Sequence, residues 1–126
     1  MKLTHCLIVE DHEPLRLLLS NWLEAIFPAV QFLNASSGEA ALEIVKRYQP
    51  QVIVMDVGLS GMNGIETTRK IKQDFPNTFV IIHTIHDEQP FHMDALHAGA
   101  DAFVIKNRTT TDLVPILMQA ITTPHQ

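Results

Sequence analysis

What the chain has little of narrows its class first. It carries one cysteine, Cys6, within the apolar run CLIV, so no disulfide framework forms; a reducing compartment and a small core side chain are expected. No segment approaches the roughly 18 consecutive apolar residues of a membrane span, and MKLTHCLIVED meets acids too early for a signal peptide. A cytoplasmic domain with no membrane association is therefore expected. Basic residues are outnumbered, 9 Lys and Arg against 14 Asp and Glu, which argues against direct nucleic-acid binding by this domain. Charged residues are only 18% of the chain and hydrophobic ones 46%, enough apolar surface to exclude disorder. Phosphate-cradling loops are missing too, since Gly58, Gly61 and Gly64 match neither Walker A nor G-x-G-x-x-G spacing and read as turn formers. The 7 histidines offer no H-x-x-x-H pair and no cysteine partners, so surface or strand-end positions are expected rather than a zinc site.

What is present is alternation. The 126 residues suit one domain, 1–126, with a core of its own and no internal repeat or linker. LTHCLIVE (3–10) shows too little polar alternation for a half-exposed strand and suits one buried on both faces. EPLRLLLSNWLEAIF then sets Leu15, Leu18, Leu19, Trp22, Leu23 and Ile26 on one helical stripe, with Pro14 in the first turn. VQFLNA (30–35) reads as a strand, and SSGEAALEIVKRYQP as a helix capped by Ser36 or Ser37, with Glu39 completing a capping box. QVIVMD (51–56) is a strand and GIETTRKIKQDF (64–75) a helix with Ile65, Thr68, Ile71 and Phe75 on one stripe. TFVIIHT (78–84) is the fourth strand; a short helix over roughly 88–98 follows, with an acid cap, Pro90 in its first turn and Gly99 as its stop. DAFVIK (101–106) is the fifth strand, and a last helix starting at Thr111 or Asp112 keeps Pro115 out of its interior. Fivefold β-α alternation with right-handed crossovers predicts a doubly wound parallel α/β sheet with helices on both faces and a site at the strands' carboxyl ends.

Those ends hold chemistry. Glu10 and Asp11 end the first strand, Asp56 the third, Thr84 the fourth and Lys106 the fifth. Three acids brought together repel, so the edge calls for a cation, and an oxygen-only donor set suits Mg²⁺. Ca²⁺ suits it less, because no D-x-D-x-D-G loop supplies further ligands. A carboxylate nucleophile beside a metal, an ammonium and a hydroxyl is an arrangement for phosphoryl transfer. For Asp11 alone, a helix cap before Glu13 and Pro14 is the competing role.

The motifs IVEDH, VMDVGLSGMNGIE, HT at 83–84 and FVIK at 103–106, in this order and spacing, resemble the receiver domains of bacterial two-component response regulators over nearly the whole chain. The resemblance implies a flavodoxin-like (βα)5 fold with sheet order 2-1-3-4-5, the order already known for receivers. It implies that Asp56 accepts a phosphoryl group from the phosphohistidine of a sensor kinase or phosphotransfer protein. Asp11, Asp56 and the Gly58 carbonyl would hold Mg²⁺, with Glu10 acting directly or through water. Thr84 and Lys106 would bind the phosphoryl oxygens, and Thr84 with Phe103 would switch the surface of the fourth helix, fifth strand and fifth helix, a face that also serves for homodimers. Such a domain is a switch more than an enzyme. His86, two positions past Thr84, stands where receiver side chains modulate dephosphorylation.

Several positions depart from the pattern. Asn107 follows Lys106 where proline is usual, a feature shared with receivers attached to helix-turn-helix DNA-binding domains, so the chain reads as acting alone or as a module of such a regulator. Ser60 replaces a common proline, Ile85 a small residue whose replacement crowds the phosphoryl site, and Phe103 the commoner tyrosine. Two other readings stay open. An aspartyl-phosphate phosphatase would show D-x-D-x-T/V, whereas Val57 and Gly58 follow Asp56; a phosphorylation-independent pseudo-receiver would share the fold without the chemistry.

Overall fold

The computed structural model describes residues 4–122. Five parallel strands, β1 (Thr4–Val9), β2 (Val30–Ala35), β3 (Val52–Met55), β4 (Phe79–Thr84) and β5 (Ala102–Ile105), form one sheet in the order β2-β1-β3-β4-β5. Between and after them run α1 (Glu13–Ile26), α2 (Gly38–Tyr48), α3 (Gly64–Asp74), α4 (Gln89–His97) and α5 (Val114–Thr122). Leu3 and the C-terminal tail of the sequence reading lie outside the described residues.

The central strands are apolar throughout because both faces are covered. Leu7, Val9, Ile53, Met55, Val80 and Ile82 face a core completed by Ala41, Val45, Ile65, Ile71 and Ala95 of α2, α3 and α4. The alternate residues Cys6, Ile8, Val52, Val54, Ile81 and Val104 face Leu19, Leu23, Leu117 and Ala120 of α1 and α5. Cys6 is a core residue as expected, and burial pushes its thiol up to about 12, which leaves it unreactive.

Four local expectations are corrected. Leu18 is 67% exposed and Ile26 also faces solvent, because the buried face of α1 is rotated toward Ser20, whose hydroxyl meets Asn34 Nδ2 at 3.3 Å. Ser37, not Ser36, caps α2, accepting from Ala40 N–H at 3.0 Å; this puts Glu39 one position too early for a capping box. Glu88 precedes α4 without a side-chain cap, and the Asp87 carboxylate lies 3.2 Å from His92 Nε2 instead. The last helical stretch starts earlier than Thr111: a 3₁₀ turn (Lys106–Arg108) and a wide π-type turn (Thr109–Leu113) precede α5. The wide turn relieves the clash between a proline ring and the carbonyl four residues before it, so Pro115 enters a continuous helical path.

His83 departs furthest from expectation. It is the penultimate residue of β4 but only 2% exposed, on the α1 and α5 side, with Nε2 2.7 Å from Thr109 Oγ1. Burial, then the nearby Lys106 ammonium, lowers its pKa from 6.5 to about 4, so the ring is neutral at pH 7. In the unfolded chain it takes a proton near 6.5 and in the folded chain only near 4. Stability from this group is therefore complete above pH 6.5 and declines as pH falls toward 4, by about 3 kcal/mol. Replacing His83 with glutamine should flatten the acid limb of a urea-denaturation profile across that window; an unchanged limb would show that His83 is not the group responsible.

Candidate functional site

Sheet order builds the site. The chain leaves β1 toward β2 on one side and returns to β3 on the other, opening a crevice at the carboxyl ends of β1 and β3. Val9 pairs with Met55, so the next residues, Glu10 and Asp56, emerge side by side. Their backbones stay tied to the sheet, with Glu10 N–H donating to Ala35 O at 3.0 Å and Asp56 N–H to Val9 O at 3.1 Å. The three acids named from the sequence converge: carboxylate oxygens of Glu10, Asp11 and Asp56 lie within 4.8 Å of one another.

One ammonium answers them. Lys106 Nζ, just past β5, donates to Glu10 Oε1 at 2.8 Å and lies 3.4 Å from Asp56 Oδ2. Glu10 is buried, and that burial, helped by the negative charge of Asp56, holds its carboxyl above the ordinary range against the opposing Lys106 bond. Asp56 Oδ1 accepts from Gly58 N–H at 3.3 Å, and Glu10 Oε2 from His12 N–H at 3.1 Å. Thr84 is buried at the β4 end, where its hydroxyl accepts from His86 N–H at 3.2 Å and keeps its own proton to donate.

The cap assigned to Asp11 as an alternative is not formed. His12 precedes α1, no side chain caps that helix, and the exposed Asp11 carboxylate is left to the acid cluster. The donor set fits a hard divalent cation: three carboxylates, oxygen ligands only, and one ammonium to offset them.

The remaining positions are placed as follows. Gly58 is exposed on the loop after β3, where an added Cβ would meet open space. Ile85 is 70% exposed, so its bulk points into solvent and is not packed over Asp56. Phe103 is half-buried on β5 and stacks on the His92 ring of α4, with centroids 3.8 Å apart. His86 stacks on Phe91 with centroids 4.4 Å apart. Asn107 lies in the 3₁₀ turn, which holds no cis peptide bond. Sequence reasoning missed Asn63, whose side chain caps α3 by accepting from Glu66 N–H at 2.9 Å, and the link from His83 to Thr109. A polar residue at a buried strand position was the available signal for the second.

A family model described as the response regulator receiver domain matches residues 6–118. The chain belongs to that family. Among relatives of this receiver, the transcriptional regulatory protein DegU of Brevibacillus brevis is 32% identical over 108 residues, covering 85% of this chain and 45% of DegU. The response regulator GacA of Pseudomonas aeruginosa is 30% identical over 113 residues, covering 90% of this chain and 53% of GacA. A crystal structure of a LuxR-family DNA-binding response regulator from Staphylococcus aureus superposes with a TM-score of 0.86 at 26% identity, covering 95% of this chain and all of that one. This receiver spans about half the length of the curated relatives it matches. Among the described residues, no helix is long and apolar enough to cross a membrane.

Proposed function

We propose that this receiver is a phosphoacceptor switch in which Asp56 takes a phosphoryl group from the phosphohistidine of a sensor kinase or phosphotransfer protein. The observation that carries the reading is the placement of Lys106 Nζ 3.4 Å from Asp56 Oδ2, within an acid cluster at the sheet's switch point. A carboxylate oxygen of Asp56 forms the new O–P bond, the P–N bond of the donor breaks, and its electron pair leaves with the imidazole, which takes a proton from water. Lys106 offsets charge on the phosphoryl oxygens, and Thr84 donates its hydroxyl proton to one of them. Glu10, Asp11 and Asp56, with the Gly58 carbonyl, would hold Mg²⁺, which supplies neutralisation of the three carboxylates and of the incoming phosphoryl charge.

Thr84 lies at the end of β4, beside β5, which carries Phe103. A shift of Thr84 toward a phosphoryl group opens room for Phe103 to leave its His92 stack, changing the surface formed by α4, β5 and α5. That surface is the proposed output and homodimer face. The domain is thus a cytoplasmic switch that participates in its own phosphorylation and dephosphorylation, the latter tuned by His86, rather than an enzyme turning over a separate substrate. DNA binding belongs to a partner domain of the kind its relatives have, not to this acidic surface.

Incubation with acetyl phosphate and Mg²⁺, followed by intact mass measurement, tests the reading. The wild type should gain one phosphoryl group, Asp56→Ala none, and chelation of Mg²⁺ should prevent the gain. An unmodified wild type would favour a pseudo-receiver.

A further inference from the structure

No ring restrains the backbone where β5 hands Lys106 to the site, because the residues from Lys106 to Thr109 are KNRT. The lysine must nevertheless be held, since its ammonium reaches two carboxylates just past β1 and β3. The Lys106 carbonyl accepts twice from Thr109, from its backbone N–H and, at 2.8 Å, from its hydroxyl.

That second bond decides the direction of the next. A hydroxyl has one proton, and a carbonyl only accepts, so Thr109 Oγ1 has only lone pairs to offer His83 Nε2 at 2.7 Å. The proton between them therefore sits on Nε2. We propose that His83 is a positioning residue for Lys106: its Nε2–H donates to the Thr109 hydroxyl, which donates to the Lys106 carbonyl, and this relay fixes the turn from which the lysine reaches Asp56.

The elements around it agree. His83 extends from β4 on the sheet face opposite the first core, next to Thr84, and its ring is buried and neutral at pH 7. A neutral ring adds no second cation beside Lys106 while still supplying a donor. Thr109 opens the wide turn into α5, so the relay joins β4, the β5 exit and the last helix at one hydroxyl. The arrangement parallels the outer hydrogen bonds that orient the ligands of a metal site, where the supporting group touches no reactant.

This inference rests on the phosphoacceptor reading, and its test separates the two. Labelling by acetyl phosphate with Mg²⁺ is followed by intact mass for wild type, His83→Leu, His83→Gln, Thr109→Val and Thr109→Ser. Mg²⁺ affinity is measured on each by calorimetry. His83→Leu and Thr109→Val should each slow labelling roughly tenfold or more, and their combination should be no slower than the slower single change, because both break one relay. Glutamine at 83 and serine at 109 keep a donor and should recover most of the rate. Mg²⁺ affinity should change far less than the labelling rate, since Lys106 neighbours the metal-binding carboxylates without itself being a ligand. Full-rate labelling in the Leu and Val variants overturns the inference. So does equal loss in the Gln and Ser variants, or Mg²⁺ affinity falling in step with rate, which would mark general damage to the fold. If His83→Leu does not fold, the near-isosteric Thr109→Val with its serine partner decides the matter alone. An unlabelled wild type overturns the phosphoacceptor reading and this inference with it.

Discussion

Replacing Lys106 with methionine is expected to slow phosphorylation by acetyl phosphate by about two to three orders of magnitude, the loss typical of removing one fixed charge-stabilising group from a reacting centre. Methionine keeps the apolar stem of the lysine and removes only its charged end. Among the described residues that end is the cation within reach of Asp56, and it comes from just past a strand two places away in the sheet, so a neighbour cannot take over its role. Glu10 should respond as well. Its carboxyl is already held above the ordinary range by burial and by Asp56, and loss of the 2.8 Å bond from Lys106 removes a contact that opposes that rise. Time courses of intact mass at one acetyl phosphate concentration compare the two proteins. A wild-type rate in the variant would mean that the ammonium acts only as a distant surface charge.

Gly64→Ala is expected to cost about 3 kcal/mol or more of stability, because the added methyl has nowhere to go. At the start of α3 a Cβ would meet the Asp56 backbone carbonyl far inside van der Waals contact, with the Val57 Cα also too near. Neither is a flexible side-chain end that can swing aside. The obstructing atoms are the backbone of the acceptor itself, and Gly64 N–H also donates to Val57 O at 3.1 Å, so relief requires moving α3 or displacing Asp56. Guanidinium unfolding should therefore show a clear loss of stability together with slower labelling. Gly58→Ala is the comparison: open space surrounds its missing Cβ, and its stability should stay within about 0.5 kcal/mol of wild type. Similar losses for both would contradict the close approach.

The sheet was legible because burial on both faces leaves a simple trace. Runs such as VIVM and FVII have no solvent face, so polar residues appear only where a strand ends, and parallel strands bring those ends to one edge. Glu10, Asp11, Asp56, Thr84 and Lys106 could be gathered on that logic before any distance was known. Helix faces were less legible. The Leu and Trp stripe of α1 follows the right period, yet Ser20 occupies an inward position because Asn34 of β2 gives it a partner, and a pattern of apolar residues alone does not include that bond. The approach to α5 was obscured for a similar reason: Pro115 signals an interruption, but whether the chain stops or widens its turn depends on packing around Leu113 and Leu117. His83 was hidden by its type. Histidines are mostly half-exposed, and only its place in strand alternation pointed inward.

Gly64 and Asp56 together explain why the loop VGLSGMNG follows the apolar strand. It turns the chain back so tightly that the next helix rests on the acceptor's own carbonyl, while Asn63 caps that helix and Gly61 takes a positive φ of 76°. The charge of Asp56 is thereby held by rigid backbone on both sides, a requirement for a nucleophile that must meet phosphorus without rearrangement.

The central claim is that the phosphoryl group resides on Asp56, and the most direct measurement is its chemical location. Borohydride reduces an aspartyl phosphate to homoserine, so the domain is labelled with acetyl phosphate and Mg²⁺, reduced, digested and sequenced by mass spectrometry. The account predicts homoserine at position 56 and at no other acid, with none in a sample where Mg²⁺ is chelated. Homoserine at Asp11 or another carboxylate, or a phosphoryl group retained on a histidine, would contradict it.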